Sequence, residues 1–210
     1  MRDAGTVDPI GTVGFIGVGE IAKAMVEGLA SDDGRPTPIV LSPRGREHAR
    51  QLSSRFDTVR VAGSNGDVAR ESDTVVLAVR PEQLTTALDG VRFRSSQVVV
   101  SALAGVDIAE LRAVIGAEIP VIRSIPLPPV SRRSSRTVIC PDHPVAASLF
   151  DRLGGTLAVA DETELAVFSA ITGSFTGLLQ YVATVAEWAE RQGAPALEAE
   201  RFIRTAFAEL

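Results

Sequence analysis

Two residue types are nearly missing from this chain. Its 210 residues include one cysteine, Cys140, and one lysine, Lys23, among 21 basic residues. A lone cysteine makes no intrachain disulfide and no cysteine-rich metal site, so no metal is expected. It fits a reducing, cytoplasmic compartment. A lone lysine removes Schiff-base chemistry and lysine-dependent dehydrogenase mechanisms unless Lys23 itself serves. Histidine is scarce too, with only His48 and His143. Both read as solvent-facing or capping residues, and no catalytic residue is assigned. Basic excess is also absent. The net charge of −5 argues against a nucleic-acid partner, which demands a basic face.

What is present is apolar and periodic. Hydrophobic residues make up 45% of the chain, ample for a packed core. Apolar runs at 13–16, 38–41, 59–61, 74–79, 97–102, 121–125, 137–140 and 156–159 read as strands. Helical spacing separates them at 20–30, 44–52, 108–115 and 144–153, with a short helix after Asn65 and another opening at Pro81. Asp107 caps the helix at 108–115 and Gly116 ends it. Apolar strands alternating with helices predict an α/β fold, a Rossmann-like, doubly wound, mostly parallel sheet. A short all-helical C-terminal region follows. The expected division is a flexible tail at 1–11, a dinucleotide-binding domain at 12–160, and an incomplete helical region at 161–210. The tail lacks the apolar stretch of a signal peptide. The helical region is expected to break near Gly173-Ser174 and at Gly193-Ala194-Pro195.

Residues 165–186 carry no charge and are about long enough to span a bilayer. Eight Ser, Thr, Gly and Gln residues interrupt them and acids flank them. They read instead as a helix buried against another subunit, so a homodimer or higher homo-oligomer is expected and a membrane is not.

The chemistry-bearing stretch is Ile16-Gly17-Val18-Gly19-Glu20-Ile21-Ala22, the G-x-G-x-x-A form of the dinucleotide fingerprint. The first Gly permits the tight turn, the second lets a pyrophosphate approach, and Ala22 lets helix and strand pack closely. The helix N-terminus then favours phosphate. A glycine-rich turn without ligand is the alternative. NAD sites place an acid at the end of the next strand. This chain has Leu41-Ser42-Pro43-Arg44-Gly45-Arg46 there, so Ser42 and Arg44 are expected to take a 2′-phosphate and the cofactor to be NADP(H). The alternative is a solvated, Arg-rich helix start.

These motifs are similar to those of the pyrroline-5-carboxylate reductase family. Gly14-Phe15-Ile16-Gly17-Val18-Gly19 is the first matching block. Ser64-Asn65 resembles an adenosine-side contact. Leu77-Ala78-Val79-Arg80-Pro81 resembles the family's A-V-K-P turn, and Ser101-Ala102-Leu103-Ala104-Gly105-Val106 its S-x-A-A-G-V turn near the nicotinamide. Thr172-Gly173-Ser174 resembles the start of its S-G-S-G-P-A helix junction. The resemblance spans about residues 12–206. It implies NADPH-dependent reduction of a small cyclic imine, pyrroline-5-carboxylate to proline. It also implies that Asn65, Ala78 to Pro81 and Ala102 to Ala104 line the cofactor. Thr172, Gly173 and Ser174 become candidates for the substrate carboxylate, with ordinary helix capping as the alternative. Three stretches depart from the family. Leu127 and Pro128 stand where it has N-T, Phe175 follows Gly173-Ser174, and Glu20 occupies a spot that often holds Asn. Arg132, Arg133 and Arg136 form a basic loop, solvated or attracting an anion. The alternatives are another NADP-dependent oxidoreductase, one dependent on coenzyme F420, or a dinucleotide-binding protein without catalysis.

Overall fold

A computed structural model describes residues 9–32 and 34–208. The chain divides into two compact units, Met1–Leu165 and Ala166–Leu210. In the first, eight strands form one sheet: β1 (Val13–Ile16), β2 (Ile39–Leu41), β3 (Val59–Val61), β4 (Thr74–Leu77), β5 (Val98–Ser101), β6 (Val121–Ile125), β7 (Thr137–Cys140) and β8 (Thr156–Ala158). Their order is β3-β2-β1-β4-β5-β6-β7-β8. The first six are parallel, β7 runs antiparallel to β6, and β8 lies parallel to β7. This is the doubly wound architecture that the alternating pattern predicts.

Continuous apolar runs arise because both faces are covered. In β4, Val76 packs into one core cluster and Val75 and Leu77 into the other. The first cluster holds Met25, Val26 and Leu29 of α1 (Glu20–Ala30), Leu52 of α2 (Arg46–Arg55) and Phe150 of α6 (Pro144–Asp151). The second holds Val68 of α3 (Asn65–Glu71), Leu84 and Leu88 of α4 (Leu84–Leu88), and Leu111 and Ile115 of α5 (Ile108–Ile115). The α5 boundaries follow their signals. Asp107 and Glu110 form a reciprocal capping box, and Gly116 takes the left-handed conformation at the end.

Gly28 sits inside α1, where alanine is ordinarily better by about 1 kcal/mol. A Cβ there would lie 2.4 Å from the Val130 carbonyl oxygen and 2.6 Å from Leu153. Contact with the turn Pro128–Arg132 decides this position against helix propensity. Arg133, just beyond, donates to the Gly28 carbonyl and lies 3.6 Å from Asp32. That member of the basic loop is tied to the C-terminal end of α1, where a cation is favoured. Arg132 and Arg136 are exposed.

Two expectations about chain order need correction. Ile10 is fully buried and its carbonyl accepts from the Thr74 hydroxyl, so packed structure begins before Thr12. The remainder of the expected tail, residues 1–8, lies outside the described residues. Further on, Gly173-Ser174 does not break the chain. Helix α7 runs without interruption over Glu162–Arg191, and α8 follows over Ala196–Ala208. One glycine costs about 1 kcal/mol in a helix interior, too little to end thirty residues of otherwise good helix. The break at Gly193 does occur, at a positive φ of 91°.

His143 caps α6. Its Nδ1 accepts from the Val145 N–H at 3.3 Å, which requires a neutral ring. Burial pushes its pKa down, against a smaller upward pull from Asp142. Because the folded pKa lies below the unfolded one, the unfolded chain binds more protons between the two. The contribution of His143 is therefore full above the ordinary value of 6.5 and lost as pH falls through the folded value. A His143→Asn variant, which keeps a side-chain acceptor at the cap, is expected to lose less thermal midpoint than wild type below that window. Melting curves across a pH series check this.

Candidate functional site

The strand order fixes where a ligand can enter. The chain winds outward from β1 to β3, then returns to β4 and winds the other way, so the carboxyl ends of β1 and β4 part at a switch point. A groove of about 380 Å³ opens there, its walls including Gly17, Val18, Gly19, Arg44, Ala78 and Arg80. A second groove of about 320 Å³ continues past Pro43, Arg44, Ser64, Asn65, Thr86 and Asp89. Arg44 and Ala87 belong to both, so the two form one track. It runs from the head of α1, past the end of β2, to the head of α3. A larger hollow of about 650 Å³ lies at Arg112, Gly116, Glu118 and Pro120. It sits at the amino end of β6, the side of the sheet opposite the switch point, and draws together none of the motifs.

The glycine turn is tight and braced. Gly17 has φ of 95° and its Cβ would stand 2.6 Å from the Ala78 carbonyl oxygen. Only glycine lets the two turns approach this closely. The Gly17 N–H donates to the Ser42 hydroxyl at 3.3 Å. Gly19 is the N-cap of α1 and supplies no side-chain cap, and nothing lies within 4 Å of its Cβ position. The first N–H groups of α1 therefore remain available, and a diphosphate fits them sterically and electrically. Ile16 and Ala22 are fully buried and Val18 nearly so. Ile16 and Ala22 pack the turn from within, and Val18 lies on the groove wall.

Ser42 is not placed as expected. It is fully buried, and its hydroxyl accepts from Gly17 and donates to the Arg44 carbonyl. It holds the turn instead of facing a 2′-phosphate. The side chain of Arg44 is exposed and lines both grooves, the position a phosphate-binding cation requires. Asn65 donates from Nδ2 to the Ala87 carbonyl at 2.9 Å, while its Oδ1 is buried with no partner among the described residues. An unmet acceptor on the wall of the second groove suits a ligand donor.

The remaining motif residues divide. Val79 and Arg80 join Ala78 on the groove wall, whereas Glu20, Ile21 and Pro81 do not line either groove. Nor do Ala102, Leu103 and Ala104, which follow β5 one strand further along. Their turn is held by three bonds. Leu103 N–H donates to the Ser101 hydroxyl, Ala102 N–H to the Leu77 carbonyl, and the Ser124 hydroxyl to the Ser101 carbonyl. Glu162 accepts from Arg123 at 2.6 Å and from the Ile108 N–H at 3.1 Å. It thereby joins the first turn of α7 to β6 and to the head of α5.

Thr172, Gly173 and Ser174 stand at no helix junction and present no free N–H groups to a carboxylate. All three lie in the middle of α7. The Thr172 hydroxyl donates to the Ser169 carbonyl and that of Ser174 to the Ile171 carbonyl, both at 2.6 Å. This is the ordinary back-bonding of hydroxyls inside a helix. Cys140 is buried and, by that burial first and the nearby Glu162 second, its thiol is pushed up; it is no nucleophile at neutral pH. Among the described residues no group of His, Cys, Asp and Glu could hold a metal.

Comparison with known proteins agrees with the first unit. A family described as NADP oxidoreductase, coenzyme F420-dependent, matches residues 12–105. Pyrroline-5-carboxylate reductase of Pseudomonas aeruginosa is 26% identical over 171 residues, covering 77% of this chain and 62% of its own length. Pyrroline-5-carboxylate reductase 2 of Rattus norvegicus is 30% identical over 171 residues, 77% of this chain and 53% of its own. The chain therefore spans less than two thirds of these two relatives. The structure of 1-pyrroline-5-carboxylate reductase from Streptococcus pyogenes superimposes with a TM-score of 0.79 at 25% identity, covering 94% of this chain and 77% of that one. The NADP-bound pyrroline carboxylate reductase of Plasmodium falciparum shares the fold, with a TM-score of 0.79 at 18% identity, covering 97% of this chain and 78% of its own.

Proposed function

We propose that this chain, which belongs to the pyrroline-5-carboxylate reductase family by sequence and by fold, carries out NADPH-dependent reduction of a cyclic imine, with pyrroline-5-carboxylate as substrate and proline as product. The observation that carries the reading is the track from the glycine turn to Asn65, with Arg44 on both its stretches. A bound reduced dinucleotide would supply a hydride to the carbon of the protonated imine, whose C=N double bond would become single with its electron pair going to nitrogen, giving the amine.

The residues of this chain bind and orient. Gly17 and Gly19 present backbone to the diphosphate, Arg44 pairs with the 2′-phosphate, and Asn65 offers Oδ1 to the adenosine side. Ala78, Val79 and Arg80 form the opposite wall. Ala102 to Ala104 are assigned to the nicotinamide side by family likeness. A protonated imine brings its own electrophilic charge, so positioning and exclusion of water are the main demands. Thr172 and Ser174 keep a substrate role only as part of a helix face, through hydroxyls that turn away from their own backbone, with Gly173 between them leaving room.

Oxidation of NADPH with pyrroline-5-carboxylate, beside NADH and a control without imine, tests the reading. An Arg44→Ala variant is expected to lose about tenfold or more of the preference for NADPH over NADH, since a charge-assisted bond contributes about 1.5–3 kcal/mol. An unchanged preference would exclude Arg44 from phosphate recognition. The matched family's description also favours a second hydride partner, coenzyme F420. Oxidation of NADPH by F420 in the absence of imine would support that reading instead.

We further infer a homodimer formed through α7, and a cytoplasmic location. Val167, Ile171, Phe175 and Leu178 recur at spacings of four, four and three along α7, and all are exposed within this chain. Exposed apolar stripes of this length are rare on monomers. By length and composition alone α7 is also apolar enough to cross a membrane.

A further inference from the structure

A charge of the wrong sign stands beside the seat for the diphosphate. Glu20 is the first residue of α1, one position beyond the Gly19 that a diphosphate must approach. An acid at a helix start ordinarily stabilises the helix. Beside two phosphates it opposes the ligand.

Helix α2 meets this carboxylate. His48 reaches across from α2, its side chain only 25% exposed against 85% for Glu20. Its Nδ1 lies 3.2 Å from the Val18 carbonyl oxygen, and its Nε2 lies 3.3 Å from Glu20 Oε1. A carbonyl oxygen only accepts, and so does a carboxylate. Each contact is made by an N–H of the ring, so the imidazole is held between the glycine turn and the Glu20 carboxylate. The other acids of the two helices have partners of their own. Glu27 pairs with Arg55, and Glu47 accepts from Gln51. The remaining cations of these segments, Lys23, Arg44, Arg46 and Arg50, have no ion-pair contact to Glu20. The residue matched to Glu20 is His48, which at the same time grips the middle residue of the glycine turn.

We propose that His48 is a positioning residue of the dinucleotide seat. It holds the Glu20 carboxylate toward α2, leaving the N–H groups at the head of α1 open to the diphosphate. Through Val18 it also couples the turn to the helix that begins just after Arg44. The proposal rests on the dinucleotide reading above and adds to it a residue that none of the sequence motifs contains.

Titration calorimetry with NADPH at fixed pH and salt tests it on the whole chain, for wild type, Glu20→Gln, His48→Ala and the double variant. His48→Ala is expected to raise the Kd about five- to tenfold, because Glu20 is then uncompensated. Glu20→Gln lies at an exposed position and is expected to bind at least as tightly as wild type. The double variant is expected to return to within about twofold of Glu20→Gln. A purely structural role for His48 predicts the opposite, a double variant as weak as His48→Ala. That result, or a Kd for His48→Ala within about twofold of wild type, would overturn the proposal. A wild-type chain that binds neither NADPH nor NADH would overturn the dinucleotide reading, and this inference with it. Thermal midpoints of the four proteins separate lost binding from lost folding.

Discussion

Replacing Gly17 with valine is expected to remove NADPH binding, raising the Kd more than about a hundredfold, and to destabilise the first unit by about 2–5 kcal/mol. Two effects add at this residue. Its φ of 95° lies where side chains with a Cβ are strained. The new Cβ would also stand 2.6 Å from the Ala78 carbonyl oxygen, 2.7 Å from its carbon and 2.8 Å from the Val79 side chain. The first two are backbone atoms held by the sheet, since the Ala78 N–H donates to the Ile16 carbonyl. They cannot swing aside as a side chain would. Relief requires the β1 and β4 turns to part, and those turns are the two walls of the first groove. The stability loss is a large share of the 5–15 kcal/mol that holds a domain together. The same geometry predicts that Gly17→Ala suffices for most of the effect, because the first carbon is the one that collides. Melting midpoints and calorimetry on both variants check this. If Gly17→Ala binds NADPH within twofold of wild type, the close approach of the turns is not what shapes the seat.

Why this much was visible in the sequence, and no more, follows from the range of each interaction. Gly17, Gly19 and Ala22 are legible because a strand–turn–helix unit is local and its steric demands fall on consecutive residues. Asp107, Glu110 and Gly116 are legible for the same reason. The place of Arg44 is legible because β2 is the strand beside β1, so residues just after it stand next to the glycine turn. Ser42 failed because a serine beside a groove can turn either way. Only the fold shows that Gly17 N–H claims its hydroxyl. The Glu20–His48 contact spans 28 positions and two helices, and no spacing rule links them. The Glu162 contacts to Arg123 and Ile108 are equally long-range. Gly173-Ser174 misled in the other direction. Its local signal for a break is real, but it weighs about 1 kcal/mol against a helix whose course is set over thirty residues.

A double substitution, Ile171→Glu with Phe175→Glu, is expected to convert the proposed dimer to monomer while leaving NADPH affinity within about twofold of wild type. Both residues lie on the exposed stripe of α7, one turn apart. In a two-fold symmetric contact each substituted residue occurs once in each protomer, so two changes place four carboxylates in one interface. Burying an ionised carboxylate without a partner costs several kcal/mol. Even a discounted total of about 4 kcal/mol raises the dimer dissociation constant about a thousandfold. Light scattering over a concentration series reads the change directly. Unaltered cofactor affinity is the second half of the prediction, because Gly17, Arg44, Asn65 and Ala78 all lie within Met1–Leu165. Loss of binding together with dissociation would mean that a second copy completes the seat. The composition of α7 leaves one rival occupant for the stripe, a bilayer. Flotation with phosphatidylcholine vesicles separates the two. Wild-type protein that stays dimeric in the aqueous fraction supports burial between copies. Wild-type protein that floats, with the Glu-substituted form left behind, would assign the stripe to lipid.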